Sequence, residues 1–172
     1  MSLADSRMEM EFWFEIKNAN LATIDQIIRN HLFKDTPFER PNLRDEHLNG
    51  MLKGFMDLTF RFDNQFYVAD YKSNQLGKGD KDYTLENQDK AILEHRYDLQ
   101  YSLYLLALHR YLRSRLGEDY DYDQWVGGVA YFFLRGANAE TRGLHYIKPP
   151  LEMITELDAL FAGCAKEVCV GA

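Results

Sequence analysis

The chain has 172 residues, of which 46% are hydrophobic, a length and balance that suit one folded domain and exclude disorder. No apolar run reaches the roughly 18 residues a membrane helix needs, and the first residues lack the apolar core of a secretion signal. The net charge of −7 argues against a protein that grips nucleic acid by itself, because phosphate neutralisation calls for a basic face. A protein whose own site must be acidic escapes that objection, since a larger assembly can supply the gripping surface. With 11 Tyr and 11 Phe, the expected core is rich in aromatics.

Met1-Ser2-Leu3 reads as a cloning scar, and residues 4–172 as one domain excised from a longer chain, because a strand pattern begins almost at once. Residues 8–16 are predicted as that strand, with Phe12, Phe14 and Ile16 on one face. Residues 21–32 carry a helical period in Leu21, Ile24, Ile27, Ile28 and Leu32, capped by Thr23 or Asn20. Pro37 and Pro41 then break the chain into a loop. Residues 51–62 and 65–72 are predicted as a hairpin turning at Asp63-Asn64, residues that tolerate left-handed backbone.

The polar stretch 74–90, with Gly77 and Gly79, is predicted as a long mobile loop that follows the hairpin and can gate access to it. A single helix over 91–115 is expected next, on the 3.6-residue spacing of Ile92, Leu93, Tyr97, Tyr101, Tyr104, Leu105, Leu108, Tyr111 and Leu112, ended by Gly117. The apolar run 125–135 fits a central strand buried on both faces. A short strand at 143–147 and a helix from about 151 complete a mixed α/β order with a central sheet flanked by helices. Cys164 and Cys169 match no zinc spacing and read as free thiols on the last helix, in keeping with a reducing cytoplasm.

Three residues of the hairpin carry the chemistry. Asp57 interrupts an apolar strand, and Asp70 and Lys72 share a face of the strand paired with it. Asp is a poor strand former, and a carboxylate buried there is costly unless paired or metal-bound. The plain reading is a solvated ion pair on a sheet face. The functional reading is two carboxylates converging on a hard divalent cation such as Mg²⁺, with Lys72 orienting or deprotonating a water or stabilising the transition state. Gln100 and Tyr104, four apart, share a helix face, and Gln100 interrupts an apolar stripe. His31, His47, His109 and His145 show no ligand spacing, and His95 reads as a surface or packing residue. Gly77-Lys78-Gly79-Asp80 lacks the Gly-Lys-Ser/Thr of a phosphate loop, so no ATP site is expected.

The run from Gly54 to Ser73, with its Gly-x-x-Asp and Asp-Tyr-Lys-Ser, is followed by His95-Arg96-Tyr97-Asp98-Leu99-Gln100-Tyr101, by Gly127-Gly128-Val129 and by Phe133-Leu134-Arg135-Gly136. In this order and spacing, these segments resemble the nuclease domains of the RecB family of exodeoxyribonuclease V type, within the PD-(D/E)XK superfamily. The resemblance spans nearly the whole chain. It implies a restriction-endonuclease-like α/β core and a metal-dependent deoxyribonuclease module of an ATP-dependent helicase–nuclease in double-strand break repair.

The resemblance makes Asp57 and Asp70 metal ligands and Lys72 the catalytic lysine, and makes Gln100 and Tyr104 a Gln-x-x-x-Tyr motif. Glu9 or Glu11 is implied as a further acidic position, the sequence not choosing between them. It implies Mg²⁺, with Mn²⁺ substituting and Ca²⁺ binding without cleavage, and ATP only through an absent helicase region. The implied partners are DNA and the other subunits of a RecBCD-like complex, in the cytoplasm and without a membrane. The family also uses a histidine on a helix ahead of the first strand. Nothing ahead of Glu9 matches it, and His31 follows that strand, so weak metal binding and a weak or inactive isolated fragment are expected. The rival readings are a non-catalytic docking or regulatory domain that retains the motif, and an unrelated enzyme with an acidic metal site.

Overall fold

The computed structural model of the chain describes residues 6–163. Met1-Ser2-Leu3, Cys164 and Cys169 lie outside the described residues. Strand β1 (Ser6–Asn20) runs into helix α1 (Leu21–His31), and β2 (His47–Phe62) turns into β3 (Gln65–Lys72). Helices α2 (Leu85–Glu94) and α3 (Tyr97–Leu116) follow, then a one-turn helix α4 (Tyr122–Trp125), β4 (Val126–Phe133), β5 (Leu144–Ile147) and α5 (Leu151–Phe161).

The sheet order is β1-β2-β3-β4-β5, antiparallel except for the parallel β3–β4 pair. A parallel pair needs a long crossover, and α2 and α3 supply it. That crossover lays α3 across the sheet, in contact with β1, β3 and β4, with α1 and α5 packed beside it. Alternation along β1 turns Met10, Phe12, Phe14 and Ile16 into this core. Among the described residues no helix is long and apolar enough to cross a membrane.

Local signals decide most boundaries. The Asn20 side chain, rather than Thr23, caps α1 by accepting from the Thr23 backbone N–H at 3.0 Å. Asp63 and Asn64 take φ of 47° and 65°, the left-handed pair a two-residue hairpin turn requires. Strand β4 is buried along nearly its whole length, as expected of a run without polar residues.

Two expectations are corrected. The stretch 74–90 is not one loop. A 3₁₀ turn forms at Asp80–Asp82, and α2 begins at Leu85, where Thr84 caps the Asn87 N–H at 3.2 Å. Tyr83 and Gln88 are buried, and Gln88 Nε2 donates to the Tyr83 carbonyl and to Thr141 Oγ1. The second half of the stretch is therefore core-anchored rather than a free gate. Nor is 91–115 one helix: the chain breaks at His95-Arg96, where Arg96 has a left-handed φ of 56°. The apolar period continues through the break, so periodicity hides it.

Candidate active site

The β2–β3 ladder ends at the pair Leu58↔Ala69, and the next residue on each strand is Asp57 and Asp70. Beyond this point β2 pairs with β1 alone, so the sheet opens where the two carboxylates stand. Asp57 Oδ2 accepts from the Tyr71 backbone N–H at 3.3 Å, tying it across the opening. Asp57 is exposed, whereas Asp70 is buried, and the two carboxylates stand near enough for the charge of one to act on the other. Burial pushes the Asp70 carboxyl above its ordinary range; Lys72 pulls it back, and the neighbouring Asp57 raises it further.

Lys72 Nζ makes an ion pair with Asp70 Oδ2 and donates to Gln100 Oε1 at 2.8 Å. It also sits 4.0 Å from the ring centre of Tyr97 and 4.7 Å from that of Tyr131. A carboxylate, an amide oxygen and two aromatic faces are all partners that suit an ammonium. Gln100 Oε1 also accepts from the Tyr131 hydroxyl at 2.8 Å, and Gln100 Nε2 donates to the Tyr104 hydroxyl at 2.7 Å. With Lys72 and Tyr131 both donating, the amide oxygen must face them. Burial, with Asp70 adding to it, pushes the Tyr104 hydroxyl up to about 12 and that of Tyr131 well above its ordinary value. Both phenols thus stay neutral at physiological pH.

The fold therefore gathers Asp57, Asp70, Lys72, Gln100 and Tyr104, five residues drawn from β2, β3 and α3. It separates the two acidic candidates on β1. Glu9 falls opposite Asp57, between the pairs Met8↔Leu58 and Met10↔Met56, at a skipped position where its φ is 51°. Glu11 is engaged elsewhere: it pairs with Lys53 at 2.8 Å, an interaction that holds its carboxyl below the usual range. Among the described residues no group of three His, Cys, Asp or Glu side chains stands close enough to hold a metal ion. His31 pairs with Glu156 at 3.5 Å, on α5, and His95 stacks on Tyr97.

The sequence reading missed Tyr97 and Tyr131 as parts of the site. Tyr97 stands three residues before Gln100, one helical turn away, so helix spacing alone can find it. Tyr131 lies in a strand of apolar residues, and only the parallel β3–β4 pairing, Asp70↔Tyr131, brings it there.

Two adjacent carboxylates, one exposed and one buried, form a hard-oxygen donor set whose mutual repulsion a divalent cation relieves, so Asp57 and Asp70 fit such an ion. A mixed sheet that opens over a two-carboxylate, one-lysine cluster, with a crossover helix behind it, is the core of a restriction-endonuclease-like α/β nuclease. The chain belongs to the PD-(D/E)XK nuclease superfamily, whose model matches residues 7–168. It is 43% identical over 170 residues to RecBCD enzyme subunit RecB of Escherichia coli (strain K12), covering 97% of this chain and 14% of that protein. To the protein of the same name in Haemophilus influenzae it is 43% identical over 161 residues, covering 91% of this chain and 13% of that protein. To that of Mycobacterium tuberculosis (strain ATCC 25618 / H37Rv) it is 38% identical over 127 residues, covering 69% and 12% respectively. The chain thus spans about a seventh or less of the length of these relatives.

Proposed function

We propose that this chain is the DNA-cleaving module of an ATP-dependent helicase–nuclease of the RecBCD type, hydrolysing phosphodiester bonds with a divalent cation held by Asp57 and Asp70. The single observation that carries the reading is the meeting of these two carboxylates at the opening of the sheet, with the Lys72 ammonium fixed beside them by Gln100. Mg²⁺ suits the donor set, since it takes hard oxygens from one or two carboxylates and keeps several waters. Mn²⁺ can replace it, and Ca²⁺ can bind without supporting cleavage. A divalent cation bound there supplies Lewis acidity and offsets the charge of the scissile phosphate.

The chain's own residues do the rest. Asp57, exposed, faces the arriving backbone, while Asp70 anchors both the cation position and Lys72. Lys72, surrounded by partners that suit a cation, acts as a fixed positive charge for the phosphoryl oxygens rather than as a base. Gln100 holds that charge in register, and Tyr104 fixes the other end of the Gln100 amide. The acidic chain leaves the gripping of DNA to the rest of the assembly, to which ATP hydrolysis also belongs. The setting implied is the bacterial cytoplasm, with DNA and the other subunits as partners.

The deciding experiment titrates Mg²⁺ and Mn²⁺ into the chain and its Asp70→Ala variant, measuring heat and cleavage of a labelled single-stranded oligonucleotide. Metal-dependent cleavage that Asp70→Ala abolishes supports the proposal. Cation binding and cleavage indistinguishable between the two proteins would refute it. Because the isolated chain is expected to cut weakly, the same Asp70→Ala change is also read in the full-length assembly, where undiminished cleavage would make this chain a docking domain.

A further inference from the structure

Arg96 occupies the break between α2 and α3 in a left-handed conformation that residues with a side chain adopt reluctantly. Its backbone carbonyl starts α3, accepting from the Leu99 N–H at 3.2 Å and from the Gln100 N–H at 3.4 Å. Its guanidinium reaches back to three separate places. Nη2 donates to Asp25 Oδ1 of α1 at 2.6 Å, Nη1 to the Pro41 carbonyl at 2.6 Å, and Nε to Asp98 Oδ1 at 3.1 Å.

Both aspartates are themselves held. Asp25 accepts from Arg29 Nε at 3.0 Å and from the Leu43 N–H at 3.3 Å. Asp98, fully buried, also pairs with Arg40, whose Nη2 donates to the Leu32 carbonyl at 2.8 Å. Three arginines and two aspartates thus fasten the first turn of α3 to α1 and to the loop after it. That first turn carries Tyr97 and Gln100, the two α3 residues that touch Lys72 Nζ.

We propose that Arg96 is a positioning residue for the Lys72–Gln100 pair: its guanidinium sets the direction in which α3 leaves the break, and so the place of the Gln100 amide over the catalytic lysine. Without the break, α2 and α3 would share one axis, and the first turn of α3 would be carried in another direction relative to β3. The planar fork matters, because three acceptors at fixed angles define an orientation that a point charge does not. The kinetic consequence rests on the nuclease reading above; the structural one does not.

The test uses the ¹⁵N-labelled 172-residue chain with Arg96→Gly and Arg96→Lys. Glycine keeps the left-handed turn at no steric cost while deleting the clamp; lysine keeps the charge and deletes the fork. The Gln100 side-chain amide, assigned by its loss in Gln100→Glu, is expected to give a proton pair displaced from the positions of free glutamine in the wild type, because one Nε2–H donates to the Tyr104 hydroxyl while the oxygen takes the Lys72 and Tyr131 donors. In Arg96→Gly the pair moves toward the positions of free glutamine, with Arg96→Lys in between. On a single-stranded oligonucleotide, kcat falls roughly ten- to a hundredfold while KM stays within about threefold, the pattern of displaced chemistry.

If Arg96 serves folding alone, the melting temperature drops, but folded molecules keep the wild-type Gln100 signals and the wild-type kcat; that result overturns the proposal. Where the isolated wild-type chain cuts no DNA, the amide signals alone decide the positioning role, and the nuclease reading is judged on cleavage by the full-length assembly. Should Arg96→Gly fail to fold, Asp25→Asn, which weakens one arm of the clamp, is read by the same two measurements.

Discussion

Gln100 Oε1 lies 2.8 Å from Lys72 Nζ, so a residue of the crossover helix holds the lysine of a strand 28 positions earlier in the chain. The same oxygen takes the Tyr131 hydroxyl from the neighbouring strand. One amide therefore couples three elements at the point where the proposed chemistry occurs.

Lys72→Gln should act on the chemical step. The ammonium already has its partners in the free protein, so little of its effect belongs to assembling the fold. Single-turnover cleavage is expected to fall by about 100-fold or more, the scale for losing one preorganised charge donor, while affinity for DNA and Mg²⁺ changes by less than about threefold. Unchanged single-turnover rates with collapsed affinity would make Lys72 a phosphate anchor only.

Asp57→Ala and Asp70→Ala should both abolish cleavage yet separate in stability. Without metal, removing the exposed Asp57 relieves its repulsion with Asp70 and leaves the Lys72 ion pair intact, so urea unfolding should show equal or greater stability. Removing buried Asp70 takes the counter-charge from the buried Lys72 and should cost about 1–3 kcal/mol. The opposite order of stabilities would mean that Asp57, not Asp70, partners the lysine.

Gln100→Leu and Tyr104→Phe should differ in severity. The first removes the acceptor for both Lys72 and Tyr131 and should slow cleavage by about 100-fold. The second removes only the far anchor of the amide, whose oxygen keeps both donors, and should cost less than about tenfold. Equal losses would show that the Tyr104 hydroxyl has a direct part in the reaction.

His109 should impose a pH dependence on stability. Burial, then the nearby Arg113, lowers its folded value below the 6.5 of a free imidazole, while Nδ1 lies 2.8 Å from the Tyr120 hydroxyl. The folded state thus favours the neutral ring, and the unfolded chain takes up the proton first. Its contribution is fully present above 6.5 and is lost as pH falls below that value toward the folded one. The melting temperature should decline from about pH 7.5 to about pH 5.5, and His109→Gln should flatten that decline. An undiminished slope in the variant would assign it to other groups.

Helix α2 should behave as core. Gln88→Ala removes two buried hydrogen bonds, to Tyr83 and Thr141, and should cost about 1–3 kcal/mol. Amides of residues 88–94 should exchange with solvent as slowly as those of α3. Exchange on the timescale of an unstructured segment would restore the mobile-loop reading.

The sequence by itself determined whatever follows from local pattern. The strand of Phe12, Phe14 and Ile16, the Asp63-Asn64 turn and the apolar β4 are encoded within a few residues, where alternation and turn chemistry act directly. Asp57, Asp70, Lys72, Gln100 and Tyr104 stood out as a set through a family resemblance, since pattern alone also allowed a plain ion pair and a helix-edge glutamine. The tertiary structure decided what depends on distant partners. At the left-handed break the Arg96 guanidinium bonds Asp25 and Pro41, far off in the chain, and no glycine or proline announces the break. Helix α2 was hidden because its polar composition resembles a loop until Gln88 is seen to be buried against Thr141. The different surroundings of Glu9 and Glu11 follow from β1–β2 register and from Lys53, and the aromatic walls around Lys72 from a parallel strand pair, contacts that spacing along the chain does not contain.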